Sequence, residues 1–337
     1  MADHAPSPDH AAAAATARRP RRVRVAIPTF HRPQGLRDAL AEVGAQAAAL
    51  DPDLAEVTVM VVDNDAEGSG RAVAEELGVL YVVEPQPGIA AVRNRSVAEA
   101  ADQDAIVFLD DDEVPSPGWL EALLRRFVES GADGVAGKVL TPFPDGVPEW
   151  VLVSGAFRRP VRADGQDMRE AATNNLVLDL HAVRRSGLEF DERFGLSGGS
   201  DSLFTRSFTR WGARLVWAED AVVVEREDPE RFTRAWVLKR TFRFGNTAAR
   251  VDVVLARSGV ERAVARARMV ALGSVRVVIG TGRSLVGRVT GSLAHRARGE
   301  RTAARGRGMV AGALGHVHHE YALRRAAMEA SGPVAGA

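Results

Sequence analysis

Three carboxylates in a row, Asp110-Asp111-Asp112, follow the apolar run Ala105 to Leu109. Packed together they repel one another, and they stay ionised only beside a compensating cation. An all-oxygen set suits Mg2+ or Mn2+ better than zinc. Two carboxylates, water and a diphosphate would complete an octahedral shell, the usual way Mg2+ is held on a phosphate substrate. The competing reading is a solvated acidic loop, or an acid cluster ahead of the helix that opens near Trp119. Asp201 is the second chemical candidate. It lies at the first turn of a helical pattern, after Gly198-Gly199, where a backbone without side chains lets a ligand approach closely. A carboxylate there would take a proton from an attacking hydroxyl; equally, Ser200 or Asp201 would serve as an ordinary N-cap. The sequence holds no convincing Ser-His-Asp constellation. It also lacks a P-loop lysine and a three-glycine dinucleotide fingerprint, so a bound nucleoside diphosphate would need a metal to carry its charge.

These residues have to be placed by the elements around them. Val23 to Ile27, Val57 to Val62, Val79 to Val83 and Ala105 to Leu109 are short apolar runs of strand length. Between them lie helical patterns at Gly35 to Ala48, Gly70 to Leu77 and Ile89 to Ala100, and a further one follows at Trp119 to Val128. Strands alternating with helices predict βαβ units, hence an α/β fold with a mostly parallel sheet covered on both faces. Ligands of such sheets bind at the carboxyl ends of the strands. Pro28-Thr29, Asp63 and the Asp110–Asp112 run all fall at such ends, so topology gathers them on one rim. Beyond residue 140, a proline-rich loop region over 141–170 is followed by a strand-like run around Thr173-Asn174-Asn175. A helix is expected over Ser202 to Trp211 and another over Phe232 to Arg250.

The chain has 337 residues, 46% of them hydrophobic, with 44 Lys+Arg against 44 Asp+Glu and no cysteine. That excludes a wholly disordered chain, a disulfide framework, a thiolate metal site and a cysteine nucleophile. The zero net charge hides an asymmetry: 14 Arg against five acids leave residues 251–337 at +9, facing an acidic body. No stretch of 18 uncharged apolar residues occurs, so a transmembrane helix is not expected. Residues 1–22, rich in Ala, Pro and Arg, are expected to be a disordered tail.

Taken in order, the motifs resemble the family 2 inverting glycosyltransferases of the GT-A fold. Those motifs are Pro28-Thr29-Phe30-His31-Arg32, Val62-Asp63-Asn64-Asp65, Gly88 to Asn94 with Arg93, Phe108 to Asp112, and Phe190 to Phe194 followed by Gly198 to Phe204. The resemblance covers about residues 23–250 and points to the bacterial exopolysaccharide, succinoglycan-type subgroup, which also shows a Trp-x-x-x-Arg helix (here Trp236 to Arg240) and a basic, membrane-adherent tail. It implies a Rossmann-like sheet flanked by helices over 23–250, with a C-terminal basic helical extension over 251–337. It implies nucleotide contacts from Pro28, Thr29, Arg32, Asp63, Arg93, Asp110 and Asp111, with uridine the commonest base. Asp112, with Asp110, would hold Mg2+ or Mn2+, and Asp201 would be the catalytic base. Asn174, Asn175, Gly198, Gly199 and Ser200 would line the donor or acceptor pocket. The implied reaction passes a sugar from a nucleotide sugar to a hydroxyl of a lipid-linked glycan or natural product by single in-line displacement.

Ser200 stands where that family usually carries Glu, which motivates an alternative: a degenerate copy that binds nucleotide sugar or a partner without turnover. A nucleotidyltransferase is a further alternative, although the glycine-rich basic loop it would need after the first strand is missing. In 257–276, apolar residues at helical spacing (Val260, Val264, Ala267, Ala271, Val275) are mixed with Arg257, Arg262, Arg266, Arg268 and Arg276. That pattern predicts a basic amphipathic helix in a membrane interface, which would place the protein on the inner face of the plasma membrane. A helix packed on its own catalytic domain is the competing reading. A nucleic-acid partner is not expected, because the tail has no interleaved aromatics.

Overall fold

The computed structural model describes residues 22–160 and 162–318. The expected tail over 1–22 therefore lies outside the described residues, except Arg22. The chain forms two compact units. The first takes in residues 22–140, 162–195 and 200–226; the second takes in 141–160, 196–199 and 227–318.

The first unit is built on β1 (Arg22–Thr29), β2 (Glu56–Asp63), β3 (Leu80–Val83) and β4 (Ala105–Leu109), with helices α1 (Pro33–Ala49), α2 (Arg71–Glu76) and α3 (Ile89–Glu99) between them. The order β3-β2-β1-β4 is parallel throughout. Beyond β4 the sheet becomes mixed. It continues through β8 (Asn175–Asp179), β6 (Gly134–Leu140), β9 (Leu215–Glu225) and β5 (Glu113–Pro115), with two-residue β7 (Asp167–Met168) on β9. β8 is antiparallel to both β4 and β6, and β6 is parallel to β9. The βαβ alternation that predicts parallel pairing ends at β4, so half of the strand pairings escape that rule. β9 is a single strand with a register shift opposite Gly137 and Lys138.

Both faces are covered, as near-continuous apolar strands require. On one face Val25 and Ile27 pack with Leu36 and Leu40 of α1 and with Trp119 and Leu123 of α4 (Trp119–Ser130). On the other, Ala26, Ile106 and Phe108 pack with Val92 of α3 and with Phe204 and Phe208 of α7 (Ser200–Trp211). A short helix, α6 (Leu180–Ser186), follows β8. One polar side chain fixes the sheet where it turns mixed. Asn175, 2% exposed, stands in register with Leu109. Its amide donates to the carbonyls of Lys138 (3.1 Å) and Ala221 (2.9 Å), and its oxygen accepts from the Trp119 indole at 2.9 Å. Both amide hydrogens are thereby committed, so Asn175, expected in a sugar pocket, instead clamps β8 to β6, β9 and α4.

The second unit holds α5 (Glu149–Ser154), inside the stretch expected to be loop, then α8 (Arg234–Val254), α9 (Gly259–Val289) and α10 (Leu293–Ala313). Here α8, expected within a catalytic domain ending at residue 250, groups with the C-terminal helices. Glycines bring those helices within backbone distance. A Cβ on Gly273 would lie 2.8 Å from the carbonyl of Gly306, and one on Gly280 would lie 2.7 Å from that of Gly299. The face of α9 that carries Met269, Gly273, Gly280, Ser284 and Gly287 is buried, while Val260, Val264, Val275, Val278 and Ile279 are exposed. The apolar spacing seen in the sequence thus marks the outer face of α9.

Asn175→Ala should destabilise the chain by about 3 kcal/mol, because it leaves a buried indole N–H and two carbonyls unpaired. Chemical denaturation checks this; a loss below about 1 kcal/mol would show that the clamp is unimportant.

Candidate active site

The carboxyl ends of β1, β2 and β4 bring the predicted polar residues together within the first unit. Thr29 ends β1 in register with Asp63 at the end of β2, and buried Pro28 precedes it. Thr29 Oγ1 donates to Asp111 at 2.8 Å. Arg32 Nη1 donates to Asp111 at 3.0 Å and to Asp112 at 2.7 Å. The loop is drawn tight here. A Cβ on Gly35 would lie 2.5 Å from the carbonyl oxygen of Asp111, so only glycine lets α1 begin so close to the carboxylate run. His31, just before, holds a positive φ of 52° and lies 3.6 Å from Asp65. A non-glycine residue there marks a strained turn at the site.

Asp63 is completely buried and serves the loop after β2. Its oxygens accept from the backbone N–H groups of Asp65 (2.9 Å) and Gly70 (2.7 Å) and from the Tyr81 hydroxyl (2.8 Å). Burial and the neighbouring Asp63 raise the Tyr81 pKa well above its ordinary value, so Tyr81 remains a donor. Tyr81 carries no motif signal and was not anticipated. Only the pairing of β3 with β2 reveals it.

Arg93, on α3, is 7% exposed; its Nη1 donates to Ser200 Oγ at 3.1 Å and its guanidinium lies 5.8 Å from the Phe190 ring. Ser200 is fully buried at the start of α7. Asp201, next to it, is partly exposed and accepts from the Ser202 N–H at 2.8 Å, so its carboxylate does act on the helix terminus. Gly198 and Gly199 belong to the second unit and have φ of +78° and +102°, conformations that side chains rarely adopt. Asn174 donates to buried Glu113.

Burial dominates the electrostatics. Burial pushes Asp110 up to about 7; Arg93 opposes this, while Asp112, Asp111 and Glu225 reinforce it. Burial also pushes Asp111 up to about 6, against the pull of Arg32 and with the push of Asp112. Arg32 stays firmly charged, because Asp111 and Asp112 outweigh its own burial. Excess negative charge at the end of β4 is the environment a hard cation relieves. Among the described residues no group of three or more potential ligands is arranged to hold an ion unaided. The carboxylates fit an ion that takes its remaining ligands from a diphosphate and water.

The comparisons with known proteins point to one family. Residues 24–189 match the family described as Glycosyl transferase family 2. The chain is 35% identical over 236 residues to the succinoglycan biosynthesis protein ExoM of Rhizobium meliloti (strain 1021), covering 67% of this chain and 74% of that protein. It is 24% identical over 257 residues to the glycosyltransferase AglE of Haloferax volcanii, covering 74% of this chain and 80% of that one. Its fold is similar to that of S. aureus TarS, with a TM-score of 0.51 at 14% identity over 85% of this chain; the match spans about half (55%) of that TarS chain. Against the TarS fragment 1-349 the TM-score is also 0.51, at 13% identity, covering 83% and 90%. The TarS likeness concerns the fold alone, a GT-A sheet with its flanking helices.

Raised carboxylate pKa values fix the sign of one pH effect. Between about pH 4 and pH 7 the folded chain keeps protons on Asp110 and Asp111 that the unfolded chain has released, so stability falls as pH rises through that window. In metal-free protein, Asp110→Asn should match the native melting temperature near pH 4 and exceed it by about 2–4 °C near pH 8. A difference that does not grow with pH would contradict the assignment.

Proposed function

The chain belongs to glycosyltransferase family 2, and from that premise we propose that it transfers a sugar from a UDP-sugar to a hydroxyl of a lipid-linked glycan during polysaccharide synthesis, inverting the anomeric carbon with the help of Mg2+ or Mn2+. It is a glycosyltransferase, and its family implies a nucleotide-sugar donor and, in general, a glycan acceptor. One observation carries the finer reading: three carboxylates at the end of β4, two clasped by Arg32 and the third under the influence of Arg93.

In this mechanism Thr29 and Arg32 orient Asp111, while Asp63 and its partner Tyr81 shape the loop on which the nucleotide lies. Arg32 and Arg93 offer positive charge to the donor's diphosphate. Asp112 and Asp110 would hold the metal, which supplies charge stabilisation for the leaving diphosphate. Asp201 takes the proton of the acceptor hydroxyl as its oxygen bonds to the anomeric carbon and the bond from that carbon to the diphosphate oxygen breaks. One displacement inverts the configuration. The ExoM likeness supports an exopolysaccharide as the product class.

We also place the protein on the cytoplasmic face of the plasma membrane, held there by α9. This helix of 31 residues is long and apolar enough to cross a membrane by length and composition. It lies along α10, and Arg296, Arg298, Arg301, Arg305 and Arg307 of α10 would be carried into the bilayer if α9 spanned it. Its outer face, with Val278 71% and Val289 88% exposed, suits a helix lying in the interface.

UDP binding measured by calorimetry should require Mn2+ and weaken at least about tenfold in Asp112→Asn. Asp201→Asn should leave that binding intact while lowering turnover by about 10²–10⁴-fold. UDP binding unchanged in Asp112→Asn would overturn the donor site, and full turnover in Asp201→Asn would overturn the base. For the membrane, Val278→Asp together with Ile279→Asp should move the protein from sedimented phospholipid vesicles to the supernatant. Unchanged sedimentation would remove α9 from that role.

A further inference from the structure

In the second unit one buried carboxylate collects three arginines. Glu300, on α10, is 9% exposed. Arg234 Nε donates to it at 2.7 Å and Arg296 Nε at 3.3 Å, while Nη2 of Arg288, in the last turn of α9, lies 4.0 Å away. Burial alone would push the Glu300 pKa up, yet the bonds from Arg234 and Arg296 bring it below its ordinary value, so the carboxylate is ionised. Three positive charges therefore meet one negative charge. Among the described residues these arginines make ion pairs with Glu300 alone.

Helix electrostatics account for one of the three. Arg288 suits the C-terminal turn of α9. Arg234 opens α8 and Arg296 lies in the first turn of α10, where the helix dipole disfavours a cation, and neither first turn holds an acid. One arginine would be enough to neutralise Glu300. Both hydrogen bonds use Nε, so the Nη groups of Arg234 and Arg296 have no acceptor among the described residues. All three side chains are about half exposed, which leaves donors open to solvent. Arg234 is fixed further by buried Trp150, whose ring lies 5.8 Å from its guanidinium. Glu300 thus orients the arginines without cancelling their charge.

We propose that Arg234, Arg288 and Arg296, gathered on Glu300, bind a phosphoryl group. Guanidinium forks match the oxygens of phosphate and diphosphate, and several converging forks suit a multiply charged anion. Two sources share this chemistry: a soluble diphosphate, or the headgroup of an acidic lipid. Exposed Leu285, Val286 and Val289 flank Arg288 and would meet the acyl chains of a lipid. The lipid source rests on the interfacial placement of α9 proposed above; the soluble source does not.

The test titrates the full chain with inorganic pyrophosphate without divalent metal, and separately with vesicles of phosphatidylcholine with and without phosphatidylglycerol. Arg288→Gln is the informative variant, since its loss leaves the bonds of Arg234 and Arg296 to Glu300 in place. Arg266→Gln removes the same charge from an exposed position near the other end of α9 and serves as the control. Pyrophosphate binding should weaken about tenfold in Arg288→Gln, further in Arg288→Gln with Arg296→Gln, and not in Arg266→Gln. For a lipid headgroup, the phosphatidylglycerol-dependent part of vesicle binding should fall in the same order and be displaced by pyrophosphate; for a soluble diphosphate it should not respond. Binding to phosphatidylcholine alone reads the apolar face of α9, so its absence would remove the membrane role and leave the pyrophosphate result standing. If neither probe distinguishes the Arg288 variants from the native chain, or if Arg266→Gln weakens binding as much as Arg288→Gln, the proposal is wrong.

Discussion

Three carboxylates at the end of a fully buried strand set the terms for the catalytic unit. The apolar residues of β4 leave nowhere for Asp110, Asp111 and Asp112 to go except its carboxyl end, where their mutual repulsion must be met. Arg32 answers from the β1 end and Arg93 from α3. Gly35 then follows from the same constraint, because the chain carrying Arg32 has to pass within contact distance of the Asp111 backbone. Burial, reinforced by the neighbouring carboxylates, raises the pKa values of Asp110 and Asp111, and a donor complex with its cation would favour their ionised forms.

Around that point the polar side chains divide by what they serve. Asp63, Asn64 and Asn175 are committed to backbone and neighbouring side chains. Asn64, for example, donates to the carbonyls of Glu84 and Gln86 and accepts from the Gly88 N–H, so it fixes the start of α3 and with it Arg93. Thr29, Arg32 and Arg93 instead direct their groups to the carboxylates or to the first residue of α7. Buried polar groups of the first kind specify geometry, and those of the second kind have geometry to offer a ligand. Ser200 belongs to the second kind. Its neutral hydroxyl accepts from Arg93 without cancelling its charge, which leaves that cation to act on Asp110.

The second unit follows a different rule. Glycines and alanines let α9 and α10 meet almost backbone to backbone, so the large apolar side chains of α9 have no room inside and face outward. A periodic apolar stripe was therefore legible, and in the fold it lies on the outward face of α9. In most soluble helices such a stripe marks the buried face, whereas here the small residues do.

The strand ends, the carboxylate run, the helices of the βαβ half and the family resemblance were all legible in residue order, because each depends on local periodicity or on motifs a few residues long. What needed the tertiary structure were the relations across long separations. The mixed half of the sheet depends on which strands meet after β4, and no periodicity encodes that. The commitment of Asn175 to structure depends on Trp119, Lys138 and Ala221, up to 56 residues away. The bond from Arg93 to Ser200 spans 107 residues. The bonds from Arg298 and Arg301 of α10 to the last carbonyls of α5 span 145 and 147 residues. Residue types and short spacings decide which chemistry is available; packing decides which of those groups face one another, and so which remain free to act on a ligand.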